Sequence, residues 1–102
     1  LGYSDPANGK DRTPAYIPDI ELYEHHVPPF REAVEAGAAT IMINSASVNG
    51  MPVHGSKRLL TELLREELGF EGLVVSDWED GIRLHVRHKI AETPRDAVRI
   101  AV

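Results

Sequence analysis

The chain has 102 residues, 42% of them apolar and 26% charged, which is ordinary for one globular domain or part of one. Its net charge of -5, with acidic and basic residues interleaved, argues against binding to nucleic acid or an anionic membrane surface. It contains no cysteine, which excludes disulfides and thiolate metal sites. No stretch is long enough to span a bilayer, and the first residues show no signal-peptide pattern. Because the chain begins without a methionine, we expect it to be a piece of a longer protein.

A polar loop is predicted over residues 1–18, where prolines, a glycine and short polar side chains recur. Loops of this length are usually functional or disordered. The loop contains Lys10, Asp11 and Arg12. These side chains either offer a cationic donor to a polar ligand or form a solvated charge cluster.

A helix is predicted over residues 20–36, because apolar side chains recur there at spacings of three and four. Asp19 is the predicted cap of this helix. Pro28 and Pro29 predict a kink or a division into two shorter helices, and Gly37 predicts the end.

The apolar run over residues 39–44 predicts a strand, and residues 45–55 predict a loop with its turn at Asn49–Gly50. Ser56 is the predicted cap of a second helix over residues 57–68, which carries a leucine stripe. A second strand follows at Leu73-Val74-Val75.

Residues 79–92 predict another polar loop, and Thr93–Pro94 predicts a helix start, with a capping hydroxyl and a proline in the first turn. Alternating helices and strands predict a parallel sheet with right-handed crossovers. A complete (β/α)8 TIM-type barrel typically has about 250 residues. The predicted fold is therefore α/β, a partial segment of such a barrel, whose strands lack neighbours. We expect the isolated chain to be aggregation-prone and catalytically silent.

The stretch Gly72-Leu73-Val74-Val75-Ser76-Asp77-Trp78 runs from small and apolar residues directly into a carboxylate and an aromatic ring. A run without alternation is typical of a strand buried on both faces of a parallel sheet. Such strands end at the carboxyl edge of the sheet, where α/β proteins build their sites. From the residues alone, Asp77 is either a site carboxylate or a turn former or helix cap.

Three stretches spanning nearly the whole chain carry a family resemblance. They are Gly2-Tyr3-Ser4 with Lys10-Asp11-Arg12, Met42-Ile43-Asn44-Ser45 with Val48-Asn49-Gly50-Met51-Pro52, and residues 60–78, which end in Gly69-Phe70-Glu71-Gly72-Leu73-Val74-Val75-Ser76-Asp77-Trp78. Together they resemble glycoside hydrolase family 3, in its two-domain β-glucosidase branch. The last stretch is the most specific, because the family's nucleophile motif has the form Gly-Phe-x-Gly-apolar-Val-Ser-Asp-Trp.

The resemblance implies an α/β barrel followed by an α/β sandwich domain, with the site between them. Residues 1–102 are then an incomplete segment of the N-terminal barrel domain, and the sandwich domain lies outside them. The family's Lys-His pair, which grips sugar hydroxyls, is expected just before Leu1. The general acid/base carboxylate is expected from the second domain.

The resemblance also implies roles for individual residues. Asp77 matches the catalytic nucleophile, and Trp78 matches the aromatic residue that shapes the sugar subsite. Arg83 falls where plant-type members place an arginine at the mouth of the site, and Arg12 is expected to reach sugar hydroxyls.

Met42 and Ser45 complete the implied substrate-binding set. Ser45 stands where relatives often carry a tyrosine beside the nucleophile, a departure that bears on how Asp77 is oriented. Glu79 and Asp80 are rival carboxylates, which we expect to hydrogen-bond loop backbone or face water because the backbone is less fixed beyond the strand end. His54 either lines the site or packs the loop.

The implied activity is hydrolysis of terminal non-reducing β-D-glucosyl residues from β-glucosides or oligosaccharides, by a retaining double displacement with an aspartate nucleophile. Such chemistry uses two carboxyl groups roughly 5–5.5 Å apart. The alternatives are a non-catalytic carbohydrate-binding barrel, a β-xylosidase or exo-glucanase of the same family, and an unrelated α/β barrel enzyme that shares the strand-Asp pattern.

The N-acetylglucosaminidase branch is disfavoured, because its Asp-Ser-His element has no histidine counterpart between Tyr3 and Pro18. The resemblance implies no cofactor and no metal. It implies a carbohydrate substrate, contact with the rest of the parent barrel and its second domain, and a periplasmic or secreted location.

Overall fold

The computed structural model describes Leu1 and residues 13–101. The predicted substrate contact Arg12 and its neighbours Lys10 and Asp11 lie outside the described residues. In chain order the elements are α1 (Asp19–Glu21), a π-helical turn (Leu22–His26), α2 (Val27–Glu35), β1 (Thr40–Met42), β2 (Ser47–Val48), β3 (Met51–Pro52), a 3-10 turn (Val53–Gly55), a π-helix (Arg58–Glu67), β4 (Leu73–Val75), α3 (Asp80–Val86) and α4 (Pro94–Ala101). Within this described part, no helix has both the length and the apolar character needed to cross a bilayer.

The first helical segment is divided, as the two prolines predict. Its hydrogen bonding changes from the π-helical to the α-helical pattern at Val27, and the prolines occupy the start of α2, where no amide donor is needed. Gly37 ends the segment with a φ of 92°. The predicted cap is wrong: Pro18 is the capping residue and Asp19 is the first helical residue. The Asp19 carboxylate instead pairs with Arg58 at 2.7 Å.

The two predicted strands form a parallel pair, β1 and β4, with Ile41 opposite Val74. The expectation that both strand faces are buried is wrong for these residues, since Met42 is 63% exposed and Leu73 65% exposed. The physical reason is that the described sheet has two strands, so each strand has one edge without a neighbouring strand. How the isolated chain behaves in solution stays a prediction.

The loop predicted over residues 45–55 contains a short hairpin, in which β2 pairs with β3. Asn49 and Gly50 form its turn with φ values of 51° and 83°, the left-handed pair that such tight hairpins require. The Asn49 side chain also ties down the incoming chain: it accepts from the Ile17 amide and donates to the Ile17 carbonyl, each at 2.7 Å. The turn prediction is confirmed, whereas the two-residue strands were missed.

The second helix begins where predicted, because the Ser56 hydroxyl accepts the Leu59 amide at 3.2 Å. Its hydrogen bonds follow the π-helical pattern, for example from the Leu68 amide to the Leu63 carbonyl. Its leucines complete the main core. That core comprises Ala15, Ile17, Leu22, Val27, Val48, Val53, Leu59 and Leu63.

The predicted loop over residues 79–92 is a wrong prediction, because α3 occupies Asp80–Val86. Leu84 is the reason: it is fully buried against Ala91 and Ala97, forming a second small core with α4. The start of α4 is as predicted, since the Thr93 hydroxyl accepts the Asp96 amide at 3.1 Å. In the structure, therefore, β4 is followed by helix α3, which begins three residues after Asp77.

Candidate active site

The entry to β4 is held by close backbone packing. A side chain at Gly72 would collide with the Ala39 carbonyl and the Phe70 ring, so this position requires glycine. Arg65 donates to the carbonyl oxygens of Phe70 at 3.0 Å and Gly72 at 2.8 Å. Its guanidinium also lies 5.3 Å from the centre of the Phe70 ring. The contacts of the Gly-Phe-x-Gly motif thus fix the backbone at the start of β4.

Asp77 lies two residues beyond the end of β4 and is exposed. One of its carboxylate oxygens, Oδ1, accepts a hydrogen bond from the Trp78 amide at 2.6 Å. The Trp78 ring follows directly and is 75% exposed. A carboxylate and an open aromatic face therefore stand together at the carboxyl edge of the parallel pair.

Asp80, three residues further on, has the opposite environment. It is 2% exposed, and the Ser45 hydroxyl donates to its Oδ2 at 2.5 Å. Arg83 Nε lies 3.3 Å from its Oδ1, and the buried His54 Nε2 lies 3.9 Å from its Oδ2. We name Ser45, His54, Asp80 and Arg83 the Asp80 cluster. It joins the loop after β1, the 3-10 turn and α3.

Two histidines near this cluster are held towards their neutral form. Burial lowers the pKa of His54, and the charge of Asp80, the Asn44 backbone and the charge of Asp77 oppose that shift only in part. Burial is also the main reason why the pKa of His88 is lowered, with a further contribution from the positive charge of Arg87. Burial therefore disfavours the protonated form of both rings, against the attraction of the Asp80 carboxylate.

The sequence-predicted site residues are brought together only in part. Ser45 and Arg83 meet at the Asp80 carboxylate. Met42 is exposed at the end of β1, paired in register with Val75. Arg12 lies outside the described residues.

The expectation for Asp80 is wrong, because its carboxylate is buried and accepts a hydrogen bond from the Ser45 side chain instead of facing water. Glu79, by contrast, is exposed and holds a left-handed φ of 54° as the residue before α3. The i, i+3 spacing of Asp80 and Arg83 is the signal that would have revealed their pairing, had α3 been predicted. His54 is buried with its Nε2 near Asp80, which agrees with the loop-packing alternative.

The arrangement presents one exposed carboxylate, Asp77, and one buried carboxylate, Asp80. A buried charge is tolerated when it is paired and hydrogen-bonded, and Asp80 has both kinds of partner. In the described part of the chain, no three His, Asp or Glu side chains are grouped to hold a metal ion.

Comparison with known proteins places this geometry in a defined class. The parallel strands, the crossover helices and the carboxyl-edge site are those of a segment of a (β/α)8-type barrel. The model of the glycosyl hydrolase family 3 N terminal domain matches residues 1–102. The chain belongs to glycoside hydrolase family 3.

Named relatives give the family context. The chain is 52% identical over 99 residues to a lysosomal beta glucosidase of Dictyostelium discoideum, covering 96% of this chain and 12% of that protein. It is 39% identical over 98 residues to a beta-xylosidase of Formosa agariphila, covering 95% of this chain and 14% of that protein. The chain thus spans about an eighth of the length of these relatives.

Solved structures agree with the described fold. The b-glucosidase EmGH1 of Erythrobacter marinus matches with a TM-score of 0.88 at 36% identity, over 93% of this chain and 13% of that one. The beta-glucosidase of Listeria innocua in complex with glucose matches with a TM-score of 0.81 at 30% identity, over 86% of this chain and 12% of that one. In each of these proteins the matched segment is therefore a small part of a much longer chain.

Proposed function

We propose that this chain is part of a longer β-glucosidase that releases terminal β-D-glucosyl residues with retention, using Asp77 as the nucleophile. The observation that carries the proposal is the accessibility of Asp77 immediately beyond β4, in the Ser76-Asp77-Trp78 motif of the family. The rival Asp80 is buried and paired, which removes it from contact with a substrate.

The proposed first step is attack of the Asp77 carboxylate on the anomeric carbon, which forms a covalent glycosyl-enzyme while the bond to the leaving oxygen breaks. A second carboxyl group, supplied by another domain of the parent, protonates that oxygen. The same group then takes a proton from water, which attacks the anomeric carbon and frees Asp77. The exposed ring of Trp78 suits contact with the apolar face of a sugar.

Glucose is the proposed sugar because the relatives include glucosidases, one of them crystallised with glucose. Xylose is the second candidate, because a named β-xylosidase shares 39% of the aligned residues. The substrate-binding set proposed for either sugar is Trp78, Arg83, Arg12, Ser45 and Met42.

The direct test is an assay of the full-length parent on aryl β-glucoside and aryl β-xyloside, with proton NMR of the first sugar released. Retention requires the β anomer to form first, and the higher kcat/KM identifies the sugar. Initial release of the α anomer would contradict the double displacement. Sugar binding without turnover of either substrate would favour a carbohydrate-binding protein.

A further inference from the structure

The Asp80 cluster contains a link between two side chains that depends on charge. Arg83 Nε is 3.3 Å from Asp80 Oδ1, yet that oxygen has no aligned hydrogen bond among the described residues. The other carboxylate oxygen is fixed by a short hydrogen bond from Ser45. Ser45 therefore holds the carboxylate in place, and the carboxylate holds Arg83 by its charge.

The location of Asp80 joins this link to the turn that carries Asp77. Asp80 is the first residue of α3, and its amide lies 3.4 Å from the Asp77 carbonyl. Arg83 is one turn further along the same helix, so its backbone position is fixed relative to Asp80. Because the Asp80 carboxylate holds the Arg83 side chain at its Nε, that side chain has lost much of its rotamer freedom before any ligand binds.

A second pair in the molecule shows what an ordinary Asp–Arg pair at this spacing looks like. Asp96 and Arg99 are also three residues apart, in α4, with 3.7 Å between their charged atoms. The Arg99 side chain is 77% exposed, whereas Arg83 is 26% exposed and its partner Asp80 1% exposed. Exposed pairs of this kind contribute little, while a buried carboxylate fixes its partner firmly.

We propose that Asp80 is a positioning residue: anchored by Ser45, it orients the Arg83 guanidinium at the mouth of the site. This inference rests on the proposed function, because Arg83 is there the group that meets the sugar hydroxyls. It also gives Ser45 a role, as the hydroxyl that fixes the Asp80 carboxylate.

The test is a double-mutant cycle in the full-length parent, measured as kcat/KM on an aryl β-glucoside. Asp80→Asn keeps an acceptor for Ser45 and removes the charge that holds Arg83. We expect it to lower kcat/KM about tenfold, mainly through a higher KM. In an Arg83→Ala background the same change should cost less than about twofold, because the group it positions is gone.

Asp96→Asn is the matched control and should leave the kinetics unchanged. If Asp80→Asn does not fold, Ser45→Ala replaces it, with an expected loss of about threefold that again disappears in the Arg83→Ala background. An equal loss in both backgrounds, or no loss in either, overturns the positioning role while leaving the hydrolase intact. If the unsubstituted parent turns over no aryl β-glycoside, the proposed function fails and this inference fails with it.

Discussion

Asp77 and Asp80 are two carboxylates three residues apart that differ sharply in exposure to solvent. Asp77 is exposed beside an open tryptophan ring, whereas Asp80 is 2% exposed between a serine hydroxyl and an arginine. The Asp77 carboxylate thus faces solvent, whereas the Asp80 carboxylate contacts side chains inside the protein. The difference teaches that two carboxylates close together in sequence beyond a strand end can differ widely in their access to solvent.

The largest effect is expected from removing the exposed carboxylate. Asp77→Gly in the full-length parent should reduce turnover of an aryl β-glucoside by several orders of magnitude, because the glycosyl-enzyme cannot form even with a good leaving group. Azide should fit the vacated space and attack directly in one inverting step. The measurement is kcat with and without azide, with NMR identification of an α-glycosyl azide.

Glu79→Gly is the matched control for this substitution. Glu79 is exposed and already holds a left-handed φ of 54°, which glycine adopts readily, so the backbone should be preserved and most activity retained. A β-glycosyl azide from Asp77→Gly would assign the nucleophile to another carboxylate. Near-normal hydrolysis by Asp77→Gly would end the assignment of Asp77.

A smaller effect is expected from removing the Arg83 side chain, which is partly exposed and pairs with the buried Asp80. Arg83→Ala should remove a charge-assisted hydrogen bond to the sugar worth about 1.5–3 kcal/mol, a fall in kcat/KM of roughly 10- to 150-fold. It should also lower the melting temperature of the parent, because Asp80 is left buried without its cation. Steady-state kinetics on several β-glucosides and a thermal melt measure both effects.

Arg99→Ala is the control for Arg83→Ala, since it breaks an exposed pair of the same spacing in α4. It should change neither kinetics nor melting temperature appreciably. A parent in which Arg83→Ala melts earlier but hydrolyses every β-glucoside normally would limit Arg83 to a structural ion pair.

The sequence predicted those features that depend on local chemistry. Apolar runs located β1 and β4, and hydroxyl caps at Ser56 and Thr93 located two helix starts. The register of the parallel pair brought Asp77 to the carboxyl edge, as expected for a strand followed by a crossover.

The missed features depend on contacts distant in sequence. Helix α3 is short, and Leu84 is buried against Ala91 and against Ala97 from α4. The burial of Asp80 likewise depends on Ser45, which is 35 residues away. Local composition predicts a loop for residues 79–92, because Ala97 and Ser45 both lie more than one helical turn from the residues they bury.

The smallest expected effect concerns His54, whose ring is buried beside Asp80. Burial lowers the pKa of His54 below the unfolded value of about 6.5, so between those two values the unfolded state binds more protons than the folded state. The stability contributed by neutral His54 is therefore present above about pH 6.5 and is lost as the pH falls towards the folded pKa.

The melting temperature of the parent should fall between about pH 7.5 and about pH 5.5, and His54→Gln should flatten part of that slope. His88, shifted in the same direction, should account for a further part. A His54→Gln slope identical to that of the unsubstituted parent would mean that His54 is protonated equally in the folded and unfolded states. In that case the burial of the His54 ring beside Asp80 would not disfavour its protonated form.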